Sequence, residues 1–186
     1  WVSPEGNVYL STLIQSKTAL DGRLALEVAL NILQIPSLQG LNLQVKWPND
    51  LYSPQGKWGG ILVESLSVNQ AIVGVGINVN TPPVENADQP ITSLHRLGLH
   101  QIERLNLIAE LYTAIQQAAQ WFEHGSYNLA ERFNHHAIWL NQQVEFEHAQ
   151  GKLQGRFQGI SNDGAVIIKT DQAQQFYQGR IRLAEI

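Results

Sequence analysis

The stretch VKWPNDLYSPQGKWGGILVE, residues 45–64, decides the fold, together with the glycine-bearing run that follows it. Apolar and polar residues alternate up to Lys46, which predicts a strand with one apolar face. Pro48 has no N–H to donate to a sheet and biases Trp47 toward extended backbone, so we expect the strand to end there. Lys46 and Asp50 then lie at a strand end and in the turn after it, where side chains often face a ligand.

Turn-forming residues at 53–56 connect this strand to the next one. Their sequence, Ser-Pro-Gln-Gly, favours a tight turn, so the strands on either side are predicted to form a hairpin. This interpretation places Lys57 on the turn. The following strand is expected to begin at Gly60.

Residues 71–80 predict another strand, and its two faces differ. The apolar residues fall on one face, while Gly74, Gly76 and Asn78 fall on the other. Glycine packs no side chain inside a strand, so two glycines on one face leave a shallow trough. A flat ligand would fit in the trough, with the Asn78 amide at its end. The alternative is that another element of the protein packs closely there.

Composition narrows the class of protein. A chain of 186 residues forms one moderate domain, or one domain with a small appendage, and 44% hydrophobic residues suffice for a core. With 12 basic and 16 acidic residues there is no broad basic field, which argues against nonspecific nucleic-acid binding. The absence of cysteine excludes disulfides and thiolate sites and fits a reducing compartment. No apolar run reaches the roughly 20 residues that span a bilayer.

The remaining chain predicts an α+β body followed by a small β domain. Helices are expected over residues 18–33, 102–122 and 127–138, with a short one from Ser93. In the long helix, the residues expected to face the core are Leu105, Ile108, Tyr112, Ile115 and Ala119. Residues 8–14 predict a strand, and 81–90 predict a loop that is a candidate lid. From residue 141 onward, short strand-like runs alternate with turn signals.

Several common functional motifs are absent from the sequence. The sequence has no Walker loop, and its glycine pair lacks the third glycine of a dinucleotide fingerprint. His135 and His136 are adjacent on a predicted helix and point to different faces, which favours a solvated surface over a metal site. No serine stands in a recognisable nucleophile elbow.

Three blocks resemble the core of biotin protein ligases in order and spacing: KWPNDL at 46–51, GKWGGILVE at 56–64 and GVGINVN at 74–80. Residues 1–6 resemble the segment just after that family's glycine/arginine-rich loop. The resemblance implies an α+β fold with a mixed, largely antiparallel sheet flanked by helices, a class II synthetase-like catalytic domain. It implies that this domain covers residues 1–140, with an SH3-like β-barrel at 141–186. Because the chain opens at Trp1, close to a core strand, we interpret it as lacking the family's N-terminal part.

The family activates biotin with ATP to biotinyl-5′-AMP and transfers the biotin to a lysine of a biotin carboxyl carrier protein, as in acetyl-CoA carboxylase. By resemblance, Lys57 and Asp50 are the catalytic residues. The implied biotin-binding residues are Trp1, Lys57, Gly60, Leu62, Gly74 and Gly76. The implied ATP and Mg²⁺ residues are Lys46, Asn49, Asp50 and Asn78, with Asp50 at the metal. The resemblance implies a cytoplasmic protein that binds no nucleic acid through this chain and no membrane, and it leaves a homodimer open.

Departures from the family pattern set further expectations. The glycine/arginine-rich loop is absent, so we expect the chain alone to bind biotin weakly and turn over poorly. Pro90 stands where some members have a tryptophan over the adenine. In some members a C-terminal arginine reaches toward the phosphates, and this chain lacks an arginine at that position. Arg180 or Arg182 is a candidate substitute, although strand alternation leaves open which way each side chain points.

Three alternatives remain at the level of sequence. A lipoate or octanoyl transferase shares the implied fold, although the KWPND block is biotin-like. A non-catalytic biotin-binding module would need no catalytic lysine. The biotin-responsive repressor form of the ligase would need a helix-turn-helix ahead of Trp1.

Overall fold

A computed structural model describes residues 4–80 and 89–184. Its first five strands form one antiparallel sheet in the order β1-β5-β4-β3-β2. Their bounds are β1 Val8–Gln15, β2 Gln44–Lys46, β3 Asp50–Ser53, β4 Gly56–Ser65 and β5 Gln70–Ile77. The predicted hairpin joins β3 and β4.

One face of this sheet packs against helices and the other is open. Alternation puts Val73, Val75 and Ile77 of β5 into the core, where each is almost fully buried. Residues on the opposite face pair across the strands, with Gly60 opposite Gly76 and Leu62 opposite Gly74. The predicted trough therefore continues from β5 into β4.

Three helices cover the core face: α1 Arg23–Ile32, α2 Arg104–Glu123 and α3 Leu129–His136. The first begins five residues later than predicted, because the Asp21 carboxylate accepts the backbone N–H of Arg23 and fixes the chain in a turn there. A short helix from Ser93 was also predicted, and this prediction is wrong. Residues 94–98 form hydrogen-bonded turns instead.

The predicted core stripe of α2 is correct at Ile115, which is buried, and at Ile108 and Ala119, which are partly buried and pack against the core. It is wrong at the other two positions. Leu105 is 78% exposed and Tyr112 is 49% exposed. The buried residues are Leu107, Leu111, Ala114, Ile115, Ala118 and Phe122. This helix carries apolar residues at both sets of positions, so periodicity alone does not determine which stripe faces the sheet.

Three strand boundaries also differ from the predictions. Asp50 was predicted to lie in the turn after the Lys46 strand, but it begins β3. Strand β4 begins at Gly56, so Lys57 lies inside the strand and not on the turn. Strand β5 ends at Ile77, and Asn78 follows it. Most of the candidate lid, residues 81–88, lies outside the described residues.

The last five strands form a second antiparallel sheet in the order β10-β6-β7-β8-β9. Their bounds are β6 Gln143–His148, β7 Gly151–Ile160, β8 Val166–Lys169, β9 Ala173–Phe176 and β10 Arg180–Leu183. Trp47 ties this sheet to the first one, because its indole N–H donates to the Gly164 carbonyl at 3.0 Å and its ring lies 6.0 Å from that of Phe146. The α+β fold with a small C-terminal β unit is confirmed. None of the helices within the described residues is long and apolar enough to cross a membrane.

Candidate functional site

A groove of about 690 Å³ lies between the open face of the first sheet and β10. The trough forms its apolar side, through Gly60, Leu62, Gly74 and Gly76. All four are residues that the sequence assigned to biotin. Trp1, assigned to the same ligand, lies outside the described residues.

A cluster of three charges forms the polar side of the groove. The Lys57 ammonium pairs with Oδ1 of Asp50, and the Lys46 ammonium lies 3.3 Å from Oδ2 of the same carboxylate. Exposure of the side chains is 5% for Lys46, 13% for Asp50 and 21% for Lys57. The sheet brings them together, since Lys46 pairs with Asp50 across the β2–β3 hairpin and Lys57 lies on the adjacent strand.

Protein groups surround the Lys46 ammonium on several sides. Its ammonium donates to Oε1 of Gln89 at 2.5 Å and lies 5.4 Å from the Tyr52 ring centroid and 5.6 Å from that of Trp139. Burial lowers the pKa of Lys46 below the usual lysine value, and the neighbouring Asp50 carboxylate opposes that shift. Asp50 therefore helps to keep a buried lysine charged.

Asn49 and Asn78 hold the backbone around the groove. The side-chain amide of Asn49 donates to the Ile61 carbonyl at 2.6 Å, and its backbone carbonyl accepts the Ile61 N–H at 2.9 Å. These two bonds hold the turn between β2 and β3 against β4. Asn49 also lines the groove. Asn78 donates its amide to the Thr92 carbonyl at 3.2 Å and is not part of the groove lining among the described residues. The nucleotide role assigned to each of them stays a prediction.

Sequence reasoning missed several groove residues. Tyr9 and Ser11 line it because β1 pairs with β5, with Tyr9 opposite Gly76 and Ser11 opposite Gly74. No local signal in the sequence reveals this pairing of strands more than fifty residues apart. Gln89 was missed because its contact with Lys46 also joins residues far apart in the sequence.

The arginines of β10 both face the groove. Ile181 between them is buried in the second sheet, so alternation turns Arg180 and Arg182 to the other side, and both line the cavity. Their direction, open from the sequence, is thus decided. Among the described residues, the lining holds four cationic side chains and one carboxylate, in a chain of formal net charge −4. Such a local excess of positive charge suits a polyanionic ligand.

Family profiles match most of the chain. The profile described as the biotin/lipoate A/B protein ligase family matches residues 1–80, and the one described as the biotin protein ligase C terminal domain matches residues 139–183.

Individual proteins match over nearly the whole chain. The bifunctional ligase/repressor BirA of Bacillus subtilis is 26% identical over 196 residues, covering 98% of this chain and 60% of BirA. The biotin–[acetyl-CoA-carboxylase] ligase of Paracoccus denitrificans is 29% identical over 189 residues, covering 91% of this chain and 76% of the relative. The structure of the Aquifex aeolicus biotin protein ligase in complex with biotin and ATP matches with a TM-score of 0.83 at 25% identity, covering 99% of this chain and 82% of the other. The chain thus spans only 60% of the length of BirA.

Proposed function

Because this chain belongs to the biotin protein ligase family, we propose that it activates biotin with ATP to biotinyl-5′-AMP and then transfers the biotin to a lysine of a carrier protein. One observation carries the proposal most directly. The paired lysines and Asp50 lie beside the glycine-floored trough in a single groove, so a flat apolar ring and a polyanion have adjoining sites.

In the first step, a carboxylate oxygen of biotin attacks the α-phosphorus of ATP. A bond forms between that oxygen and phosphorus, the bond from the α-phosphorus to the bridging oxygen breaks, and pyrophosphate leaves. Two anions have to meet in this step, so a fixed cation at the reacting oxygens lowers the barrier. Lys57 is the residue we assign to this place, since it is the more exposed of the two lysines and lies in the strand that also carries Gly60 and Leu62.

In the second step, the amine of the carrier lysine attacks the acyl carbon of biotinyl-5′-AMP. An amide bond forms, AMP leaves, and the amine loses a proton. AMP is a good leaving group because its phosphate carries the departing charge. Cations of the groove stabilise that charge by the same electrostatic effect as in the first step. The name of the Paracoccus relative supports the carrier of acetyl-CoA carboxylase as the acceptor.

Asp50 is the residue that would hold Mg²⁺. Magnesium is usually bound by one or two carboxylates together with substrate phosphates, so a single, partly exposed carboxylate in the groove fits a metal carried by the nucleotide. No group of three His, Cys, Asp or Glu side chains within residues 4–80 and 89–184 forms a dedicated metal site. When bound, the ion would supply charge neutralisation on the phosphates. Asp50 would meanwhile orient both lysines.

Replacing Gly74 tests the biotin assignment. An added Cβ would lie 3.8 Å from its nearest neighbours, so Gly74→Ala should fold with unchanged stability. The methyl group would stand in the floor of the groove, and we expect biotin affinity to fall about tenfold, the effect of a modest overpacking. Calorimetric titration with biotin measures the loss, and urea unfolding provides the control for folding. Undiminished biotin affinity would place the ring system elsewhere.

Replacing the arginines of β10 tests the nucleotide assignment. We propose that Arg180 and Arg182 bind the phosphates that depart as pyrophosphate. Arg180→Gln with Arg182→Gln should raise the KM for ATP about tenfold, as expected for loss of charge-assisted hydrogen bonds, while the KM for biotin changes little. Arg156→Gln is the matched control, because Arg156 is an exposed arginine of the same sheet outside the groove lining. An ATP KM equal to that of the control would remove both arginines from the phosphate site.

The function itself is tested by biotin-dependent exchange of labelled pyrophosphate into ATP. We expect exchange with biotin, at the low rate predicted for this chain alone, and none with lipoate or octanoate. A carrier domain, when added, should become biotinylated. Exchange that responds to lipoate in place of biotin would instead assign the chain to the other branch of the family. Biotin binding without any adenylate would leave a binding module only.

A further inference from the structure

Gln89 places its side-chain amide between two charged groups of the groove. Its Oε1 accepts a hydrogen bond from Lys46 Nζ at 2.5 Å, and its Nε2 donates to Oδ2 of Asp50 at 3.5 Å. It also lines the cavity. Neither catalytic step above uses this residue.

The backbone that follows Gln89 is fixed to β4 at Lys57. The Lys57 N–H donates to the Pro90 carbonyl at 2.9 Å, and the Thr92 N–H donates to the Lys57 carbonyl at 2.9 Å. Gly56 lies so close that an added Cβ would be 2.6 Å from the Pro90 oxygen, at a φ of +126° that favours glycine. Pairing with β4 therefore holds the Gln89 backbone next to Lys46. The Gln89 amide can leave the Lys46 ammonium by rotation of its side chain alone.

Most positions around the Lys46 ammonium are already occupied by protein groups. An ammonium has three N–H groups, and Asp50 and Gln89 accept hydrogen bonds from it. The rings of Tyr52 and Trp139 cover another side of it. Of these partners, only Gln89 is both neutral and carried on a long, unbranched side chain. A phosphate oxygen that reaches Lys46 takes the place of this amide oxygen most easily.

We propose that Gln89 sets the nucleotide affinity of the groove by competing with phosphate oxygen for Lys46. This inference rests on the proposed function, which assigns the groove to a polyphosphate. A hydrogen bond from an ammonium to a neutral amide is weaker than one to an anionic oxygen, so the amide yields to phosphate. It meanwhile gives a buried ammonium a second acceptor. A carboxylate in its place would hold Lys46 as an ion pair and repel phosphate.

Two substitutions at this position are expected to act in opposite directions. Gln89→Glu should weaken ATP binding about tenfold or more, through the retained ion pair and the repulsion of phosphate. Gln89→Ala should tighten it about threefold to tenfold, the value of one net hydrogen bond that no longer has to be exchanged. Biotin affinity should stay unchanged in both. Gln117→Glu, at an exposed position on α2, is the control for the added charge. If both Gln89 variants weaken ATP binding, or neither changes it, the competition is excluded.

Titration with inorganic tripolyphosphate separates this inference from the proposed function. Tripolyphosphate needs no biotin and no adenylation, and its affinity should follow the same order, highest for Gln89→Ala and lowest for Gln89→Glu. If the variants follow this order of tripolyphosphate affinity but the protein shows no biotin-dependent exchange, the proposed function is refuted and the competition at Lys46 is supported. If the wild type shows exchange but all variants bind tripolyphosphate equally, only the competition at Lys46 is refuted. A wild-type protein that does not bind tripolyphosphate would also overturn it.

Discussion

Lys57→Ala should reduce biotin-dependent pyrophosphate–ATP exchange about 10²–10³-fold, the range found when one donor to a developing negative charge is removed. The loss should appear in kcat, because the cation acts on charge that forms only as the carboxylate attacks phosphorus. Folding should change little, since Lys57 is partly exposed and Asp50 keeps its contact with Lys46. Steady-state exchange kinetics give the rate, and thermal unfolding gives the stability.

Lys17→Ala is the matched control for this variant. Its side chain is 89% exposed, lies 3.9 Å from the Glu123 carboxylate and is not part of the groove lining. We expect wild-type exchange from it. Lys57→Arg adds a second comparison, because a planar guanidinium keeps the charge without the compact geometry of an ammonium. Wild-type exchange by Lys57→Ala would rule out the assigned role.

Asp50→Asn should destabilise the protein by about 3 kcal/mol, because it leaves the almost fully buried Lys46 ammonium without its counter-charge. For a chain of this size, that loss lowers the Tm by roughly 10 °C. Adenylation should fall as well, since Lys57 loses the carboxylate that orients it and the proposed Mg²⁺ ligand is gone. Urea unfolding at neutral pH measures the stability, and exchange kinetics measure the activity.

Glu145→Gln serves as the comparison for Asp50→Asn. Glu145 also pairs with a lysine, Lys152, at 2.9 Å, but 30% of the Glu145 side chain and 53% of the Lys152 side chain are exposed. Water screens such a pair, so its loss should leave the free energy of unfolding almost unchanged. Equal destabilisation by the two substitutions would show that the charge cluster of the groove has no special environment.

The charge cluster was predictable because its members lie close together in sequence. Lys46, Asp50 and Lys57 fall on three consecutive strands joined by two short turns, so connections of a few residues bring them near each other. The glycine trough was predictable for a similar reason, since alternation along one strand determines its face. The core stripe of α2 was predictable only in part, because two overlapping apolar stripes compete on that helix and only packing against the core selects one.

Long-range contacts account for what the sequence left open. Glu27 has an almost fully buried side chain, a position that periodicity assigns to an apolar residue, and the Arg132 guanidinium of α3 compensates its charge with hydrogen bonds of 2.6 and 2.9 Å. Gln89 reaches Lys46 across 43 positions of the chain. Such partners come together only when separate elements pack.

The sequence by itself determined the hairpin across the turn at 53–56, the glycine trough and the family resemblance. These depend on the period of side chains along one or two strands and on turn chemistry, which act over a few residues. Only the tertiary structure decided that Tyr9, Gln89 and the two arginines of β10 complete the groove. The physical reason is that pairing between distant strands and docking of the second sheet depend on the burial of surfaces from many elements at once, which no local pattern records.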